Sequence, residues 1–129
     1  MFGEDAIFGQ TELKIGDKGR ICIPANTQRE IGEKLVLVHN KNLNLYEIYS
    51  IEKLENRFKK LNDLIMNAKT EKDRIFYEKM FYEFSKSILR SECVDTQGRI
   101  LTGKIFEGYE KVLSTGAYDH LIIEPLKDK

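Results

Sequence analysis

Gly16-Asp17-Lys18-Gly19-Arg20-Ile21 and Asp95-Thr96-Gln97-Gly98-Arg99-Ile100 read almost alike. Each is a polar turn carrying Gly-Arg, and each runs directly into a strand-like segment. The first copy continues through Ile21-Cys22-Ile23-Pro24, Arg29-Glu30-Ile31-Gly32, Leu35–Val38 and Leu43–Ile48. The second continues through Ile100-Leu101-Thr102-Gly103, Tyr109–Leu113 and Leu121–Glu124. Both spell strand, turn, strand, short helix and a further pair of strands. Repetition within 129 residues makes the relation between the two halves the central question.

Around the first turn, Thr11, Leu13 and Ile15 alternate with Glu12 and Lys14, which predicts a half-buried strand within 7–15. Arg20 to Ile23 resumes it and Pro24 stops it. Asn26 or Thr27 can cap a short helix, with Glu30 placed for a capping box and Gly32 for its left-handed end. Leu35–Val38 and Leu43–Tyr49 are predicted strands, joined by the polar turn His39-Asn40-Lys41-Asn42. Two helices follow. Residues 51–67 place Leu54, Phe58, Leu61 and Ile65 on one face, and residues 71–90 do the same with Ile75, Phe76, Met80, Phe81, Phe84 and Ile88. Thr70 or Asp73 can cap the second. The aromatic stripe of that helix has the spacing of core or inter-subunit packing rather than of a ligand box.

The length suits a single domain, 1–129, with a first repeat over 7–50, a helical hairpin over 51–90 and a second repeat over 92–125. Apolar residues make up 41% and charged residues 33%, an ordinary globular balance. No apolar run is long enough to span a bilayer, and Met1-Phe2-Gly3-Glu4-Asp5 is not a signal sequence, so a cytoplasmic, nucleoid-associated location is expected. Cys22 and Cys93 are expected as small buried thiols. They and His39 and His120 lack any closely spaced ligand pair, so neither a metal nor another cofactor is expected. The net charge is zero, although residues 52–90 carry 10 basic and 7 acidic side chains. A phosphate-binding surface must therefore be a local patch, multiplied by assembly.

A tight turn needs glycine and polar residues, but it does not need an arginine in the same place twice. With Lys14 and Lys18 beside it, Arg20 gives the first turn a cluster of cations on a rigid β-scaffold. Such an array suits phosphates or guanine edges. The opposing reading is local ion pairing, Arg20 with Asp17 or Glu12 and Arg99 with Asp95 or Glu92.

The run Leu13 to Pro24, with Arg29, Ile31-Gly32 and the strands after it, resembles the DNA-binding half of the AbrB/SpoVT swapped-hairpin family. The two copies with helices between them are similar to the layout of the MraZ family of that group, and Ser91 to Ile100 resembles the entry to its second repeat. The resemblance covers roughly residues 5–125. It implies an α+β fold in which two repeats interleave into a pseudo-twofold swapped-hairpin β-barrel, with an inserted αα-hairpin. It also implies a transcriptional regulator that binds double-stranded promoter or operator DNA as a homo-oligomer, in some members a ring. Lys14, Lys18 and Arg20 are then DNA contacts, and Arg99 is either a contact or a support for the fold. This chain departs from the pattern in several places. Gly16 stands where the family usually has aspartate, Gln97 where a lysine would add charge, and Thr102-Gly103 where the first copy has Ile23-Pro24. The residues after Pro125 are also too few for the C-terminal helix usual there.

The alternative from another class is a protein-interaction module, antitoxin-like or structural, with the same barrel and little DNA affinity. Neutral charge and the weaker second repeat favour it. No Gly-rich phosphate loop, nucleophile elbow or paired-histidine motif names a reaction, so an enzyme is not expected.

Overall fold

The strands of one half hydrogen-bond to the strands of the other. The computed structural model describes residues 1–127, an α+β arrangement whose sheet pairings are antiparallel. In chain order the elements are β1 (Gln10–Lys14), β2 (Arg20–Cys22), β3 (Lys34–Asn40), β4 (Leu45–Ser50), α1 (Ile51–Met66), α2 (Glu71–Lys86), β5 (Ile88–Cys93), β6 (Arg99–Leu101), β7 (Lys111–Gly116) and β8 (Leu121–Leu126). A six-stranded sheet runs β1-β7-β8-β4-β3-β5, and β2 pairs with β6 as a separate ribbon. No single closed barrel is found among the described residues. If β1–β4 are matched in order to β5–β8, the sheet order reads the same from either end. Like pairs with like in β2·β6 and β4·β8, while first and third strands are exchanged in β1·β7 and β3·β5.

Two cores follow from the alternation of side chains. In β3, Leu35 and Leu37 join Ile21, Ile100, Phe106, Val112 and Ile123 between the sheet and the ribbon. Val36 and Val38 face the other way and pack with Tyr49, Leu54, Phe58 and Phe84 beneath the helices. All four of these β3 residues are buried because both faces of the strand are covered. Ile21 sits opposite Ile100 with neither exposed by more than 3%. Burying one such side chain contributes about 1.5–3 kcal/mol.

Ser50 caps α1 by accepting from Lys53 N at 3.2 Å, and Thr70 caps α2 by accepting from Asp73 N at 3.1 Å. Phe58 against Phe84 joins the two helices, and the hairpin is fastened to the sheet by the edge contact of Phe84 with Tyr49 and by Arg57, whose Nη1 donates to Tyr49 Oη at 3.0 Å. Beneath it, His120 stacks on Tyr49 at 4.5 Å and lies between two carboxylates, Nε2 3.4 Å from Glu47 and Nδ1 2.8 Å from Asp119. No helix of the described residues is long and apolar enough to cross a membrane.

Several local expectations are corrected. The short helix toward Ile31-Gly32 is only a 3-10 turn over Ala25–Thr27. Thr27 is buried and bonds back to Pro24 O, while Glu30 N is taken by Glu33 Oε1, so no capping box forms. The second helix ends at Lys86 rather than at residue 90, because Ile88 and Leu89 enter β5 against β3. Cys22 and Cys93 are exposed rather than buried, since each lies on an outward-facing position of a short strand. Of the α2 stripe, Phe81 and Phe84 are half-buried, while Phe76 and Tyr82 are 60% and 62% exposed.

Candidate nucleic-acid interface

The β2–β6 ribbon pairs Arg20 with Leu101, Ile21 with Ile100 and Cys22 with Arg99. Ile21 and Ile100 point into the core, so the period of two puts Arg20, Cys22, Arg99 and Leu101 on the opposite face. Two arginines from two distant turns thus stand at diagonal corners of one narrow ribbon.

The two turns have the same backbone. Gly16 N donates to Arg20 O at 2.8 Å and Gly19 N to Gly16 O at 3.1 Å. In the second turn Asp95 N donates to Arg99 O at 2.8 Å and Gly98 N to Asp95 O at 3.0 Å. Gly19 and Gly98 have φ of +76° and +77°, the left-handed region where a side chain is strained. Each turn is also locked by the other half. Gly19 O accepts from Thr102 N at 2.9 Å, and Gly98 O accepts from Ile23 N at 2.8 Å and from Arg29 Nε at 3.3 Å. A Cβ on Gly19 would stand 2.2 Å from Gly103 O, so close approach as well as φ requires glycine there.

Their electrostatics differ at one position. Asp95 Oδ1 accepts from Gln97 N at 2.9 Å and Arg99 N at 2.8 Å, and its Oδ2 takes Arg99 Nε at 3.0 Å. The Arg99 N–H foremost holds the Asp95 carboxyl below its usual range; burial opposes it, and the Gln97 N–H and the Arg99 guanidinium add to the lowering. Gly16 occupies the equivalent place in the first turn and has no carboxylate to offer. Arg20 Nη1 reaches only the backbone oxygen of Asp17, at 3.3 Å, and no carboxylate pairs with Arg20 among the described residues. Local ion pairing therefore describes Arg99 and does not describe Arg20.

Lys18 is exposed in the first turn with φ 59°. Lys14 is exposed on the neighbouring sheet, at the end of β1 and opposite Lys111 in register. The structure thus groups Lys18 and Arg20 on one turn, sets Arg99 across the ribbon and leaves Lys14 on the sheet edge. It adds Lys104, which lines a groove of about 300 Å³ with Lys18, Phe106, Glu107 and Tyr109. It also adds Arg29, packed on the Gly98 turn. Lys104 has no sequence signal of its own, because only the pairing of Gly19 with Thr102 brings it to the first turn.

No protein-family profile matches the chain. Three curated bacterial proteins do, each named transcriptional regulator MraZ. The protein of Caldanaerobacter subterraneus subsp. tengcongensis is 35% identical over 107 residues, which cover 82% of this chain and 68% of that protein. That of Thermoanaerobacter sp. (strain X514) is 38% identical over 96 residues, 74% of this chain and 61% of that protein. That of Thermoanaerobacter pseudethanolicus is 35% identical over 96 residues with the same shares. The chain therefore spans about two thirds of the length of these relatives. Duplicated Gly-Arg turns on exchanged strands, carried at this identity over most of the sequence, make the chain a member of the MraZ family.

Proposed function

We propose that this chain is a sequence-specific DNA-binding transcriptional regulator of the MraZ/AbrB type. The observation that carries the reading is the outer face of the β2–β6 ribbon, with Arg20 and Arg99 at its corners in a member of this family. A two-stranded ribbon fits the major groove of B-DNA, and a guanidinium can pair in fork fashion with guanine O6 and N7. Arg20, free of a carboxylate, is the base-reading residue. Arg99, held by Asp95, keeps its turn in shape and adds at most a phosphate contact. Lys14 and Lys18 position the duplex through its phosphates.

In the same reading residues 1–129 form one domain, with half-motifs 7–50 and 92–125 and the insertion 51–90 between them. The six-stranded sheet and the ribbon are then two walls of a swapped-hairpin barrel. Subunits assemble as a homo-oligomer, a ring, and the repeated basic turns multiply a weak single contact into avidity, which suits a chain of zero net charge. The protein acts in the cytoplasm at the nucleoid, without a cofactor and without catalysis.

Fluorescence anisotropy with double-stranded DNA from upstream of the protein's own gene tests the proposal. Binding that weakens steeply with salt and prefers that DNA over a scrambled duplex supports it. A second reading, a protein-interaction module, draws on the exposed apolar face of α2 around Ile75, Phe76, Met80 and Tyr82. It moves ahead if no DNA binds at low salt.

A further inference from the structure

The outer face of the β2–β6 ribbon holds two apolar side chains besides its arginines. Cys22 and Leu101 each stand two residues after the arginine of their own turn. Each sits opposite the other repeat's arginine, Leu101 beside Arg20 and Cys22 beside Arg99. The ladder makes these the close pairs. Thr102 N donates to Gly19 O and Ile23 N to Gly98 O, so hydrogen-bonded positions bound the ribbon at Gly19·Thr102 and Ile23·Gly98. Alternation leaves Arg20·Leu101 and Cys22·Arg99 as non-hydrogen-bonded pairs, with Cα atoms roughly 4.5 Å apart and side chains adjacent.

Leu101 is half-buried, yet it joins neither of the two cores of the described residues. Its neighbours Ile100 and Thr102 are at most 3% exposed, so its own side chain points out with the arginines. The two corners are unequal. The larger apolar group, Leu101, accompanies the free Arg20, and the smaller, Cys22, accompanies the Arg99 that Asp95 holds. In the major groove guanine offers O6 and N7 to a guanidinium, whereas thymine offers a 5-methyl group that an apolar side chain can cover. Successive bases of a strand lie about 3.4 Å apart, close to the spacing of the Arg20·Leu101 pair. One corner thus carries the chemistry for a guanine and a thymine at neighbouring positions.

We propose that Leu101 is a specificity-determining residue, which covers the methyl group of a thymine next to the guanine read by Arg20. The inference rests on the DNA-binding reading and adds a second base to it. Leu101 carries no charge, so it acts on the choice of sequence and not on the salt dependence of binding.

The test is anisotropy with the duplex from upstream of the protein's own gene, made in natural form and with deoxyuridine in place of every thymine. The exchange removes only the 5-methyl groups and keeps the base pairing and O4. The parent chain should bind the natural duplex about fourfold more tightly for each methyl group covered, which is what burying one such group is worth. Leu101→Ala should bind both duplexes alike, near the parent's affinity for the deoxyuridine form, with an unchanged slope of log K against log salt. Melting checks its fold, and Leu101→Ser takes its place if it does not fold. Equal binding of the two duplexes by the parent, or a preference that survives the loss of Leu101, overturns the proposal. Salt-dependent binding that still prefers the natural duplex over a scrambled one then leaves the DNA-binding reading standing. No binding of any duplex at low salt overturns both.

Discussion

Arg99 is held by the carboxylate of Asp95, its Nε 3.0 Å from Oδ2 and its backbone N–H 2.8 Å from Oδ1. The same turn in the first repeat has Gly16 at the aspartate position, and its Arg20 is left with a single backbone oxygen. One residue therefore separates a tethered arginine from a free one on the same ribbon face. The two repeats share a backbone but differ in what they can offer a ligand.

Gly16→Asp makes the first turn resemble the second. Gly16 has φ −88° and ψ −167°, open to any residue, and a Cβ there meets nothing closer than Arg20 O at 3.4 Å. The substitution is expected to stabilise the fold by about 0.5–1 kcal/mol, through a side-chain-capped turn and a less flexible unfolded chain. It should also lower DNA affinity by about tenfold as Arg20 is drawn to the new carboxylate. Thermal melts and anisotropy check the two halves of this prediction separately. A variant that gains stability while keeping full affinity would show that Arg20 does not need its freedom.

Gly19→Ala tests whether the interlock between halves matters. It imposes both a strained φ and the approach to Gly103 O, whereas Gly9→Ala at φ +90° has nothing within 4 Å. The expected loss is about 1–3 kcal/mol for the backbone strain alone, and more for Gly19→Ala than for Gly9→Ala. Equal losses in denaturant titrations would mean that the turn can move away from Gly103.

The repeat was legible because Gly-Arg at a turn is visible in any order of folding. The helices were legible from apolar spacing, and strand β3 from its Leu-Val-Leu-Val run. Partnerships between the halves were not. The exchange of β1 and β5 decides that Ile88 and Leu89 are strand rather than helix, and a periodic pattern continuing from α2 hides it. The exposure of Cys22 depends on which face of a three-residue ribbon meets the core, and Ile21 and Ile100 settle that only together. Lys104 reaches the Lys18 groove through tertiary contact alone. The change from aspartate to Gly16 was visible in the sequence, but its consequence for Arg20 needed the geometry of Asp95.

Stability should depend on pH through His120. Burial pushes its pKa down, but hydrogen bonds to Glu47 and Asp119 outweigh this and raise it above the ordinary 6.5. Burial likewise raises that of Glu47, and the His120 contact outweighs it and holds the carboxyl below 4.5. A raised histidine contributes stability that is complete below its unfolded value and is lost as pH rises through the folded one. A depressed carboxylate contributes above its unfolded value and loses this as pH falls. The melting temperature should therefore be highest between about pH 5 and 6 and decline toward pH 8. His120→Gln should flatten the decline, and an unchanged slope in that variant would remove His120 as its cause.

Assembly should depend on the outer face of α2. Phe76 and Tyr82 on α2 are large apolar side chains that remain exposed, with Ile75 partly so, and an exposed apolar patch of this kind marks a surface for a partner. Light scattering is expected to report an oligomer at micromolar concentration, reduced by Phe76→Glu without loss of helical signal. A monomer for the parent chain would contradict the proposed ring.

The most direct test compares Lys18→Ala, Arg20→Ala and Arg99→Ala by DNA affinity and by the slope of log K against log salt, with melting checked for each. Lys18→Ala should weaken all sequences alike and reduce the slope by about 0.9 for each phosphate no longer neutralised. Arg20→Ala should cost about 1–3 kcal/mol per site and relax discrimination at one base, with a smaller loss for Arg99→Ala. If Lys18→Ala and Arg20→Ala both fold normally and leave affinity and slope unchanged, the ribbon is not the DNA-binding face.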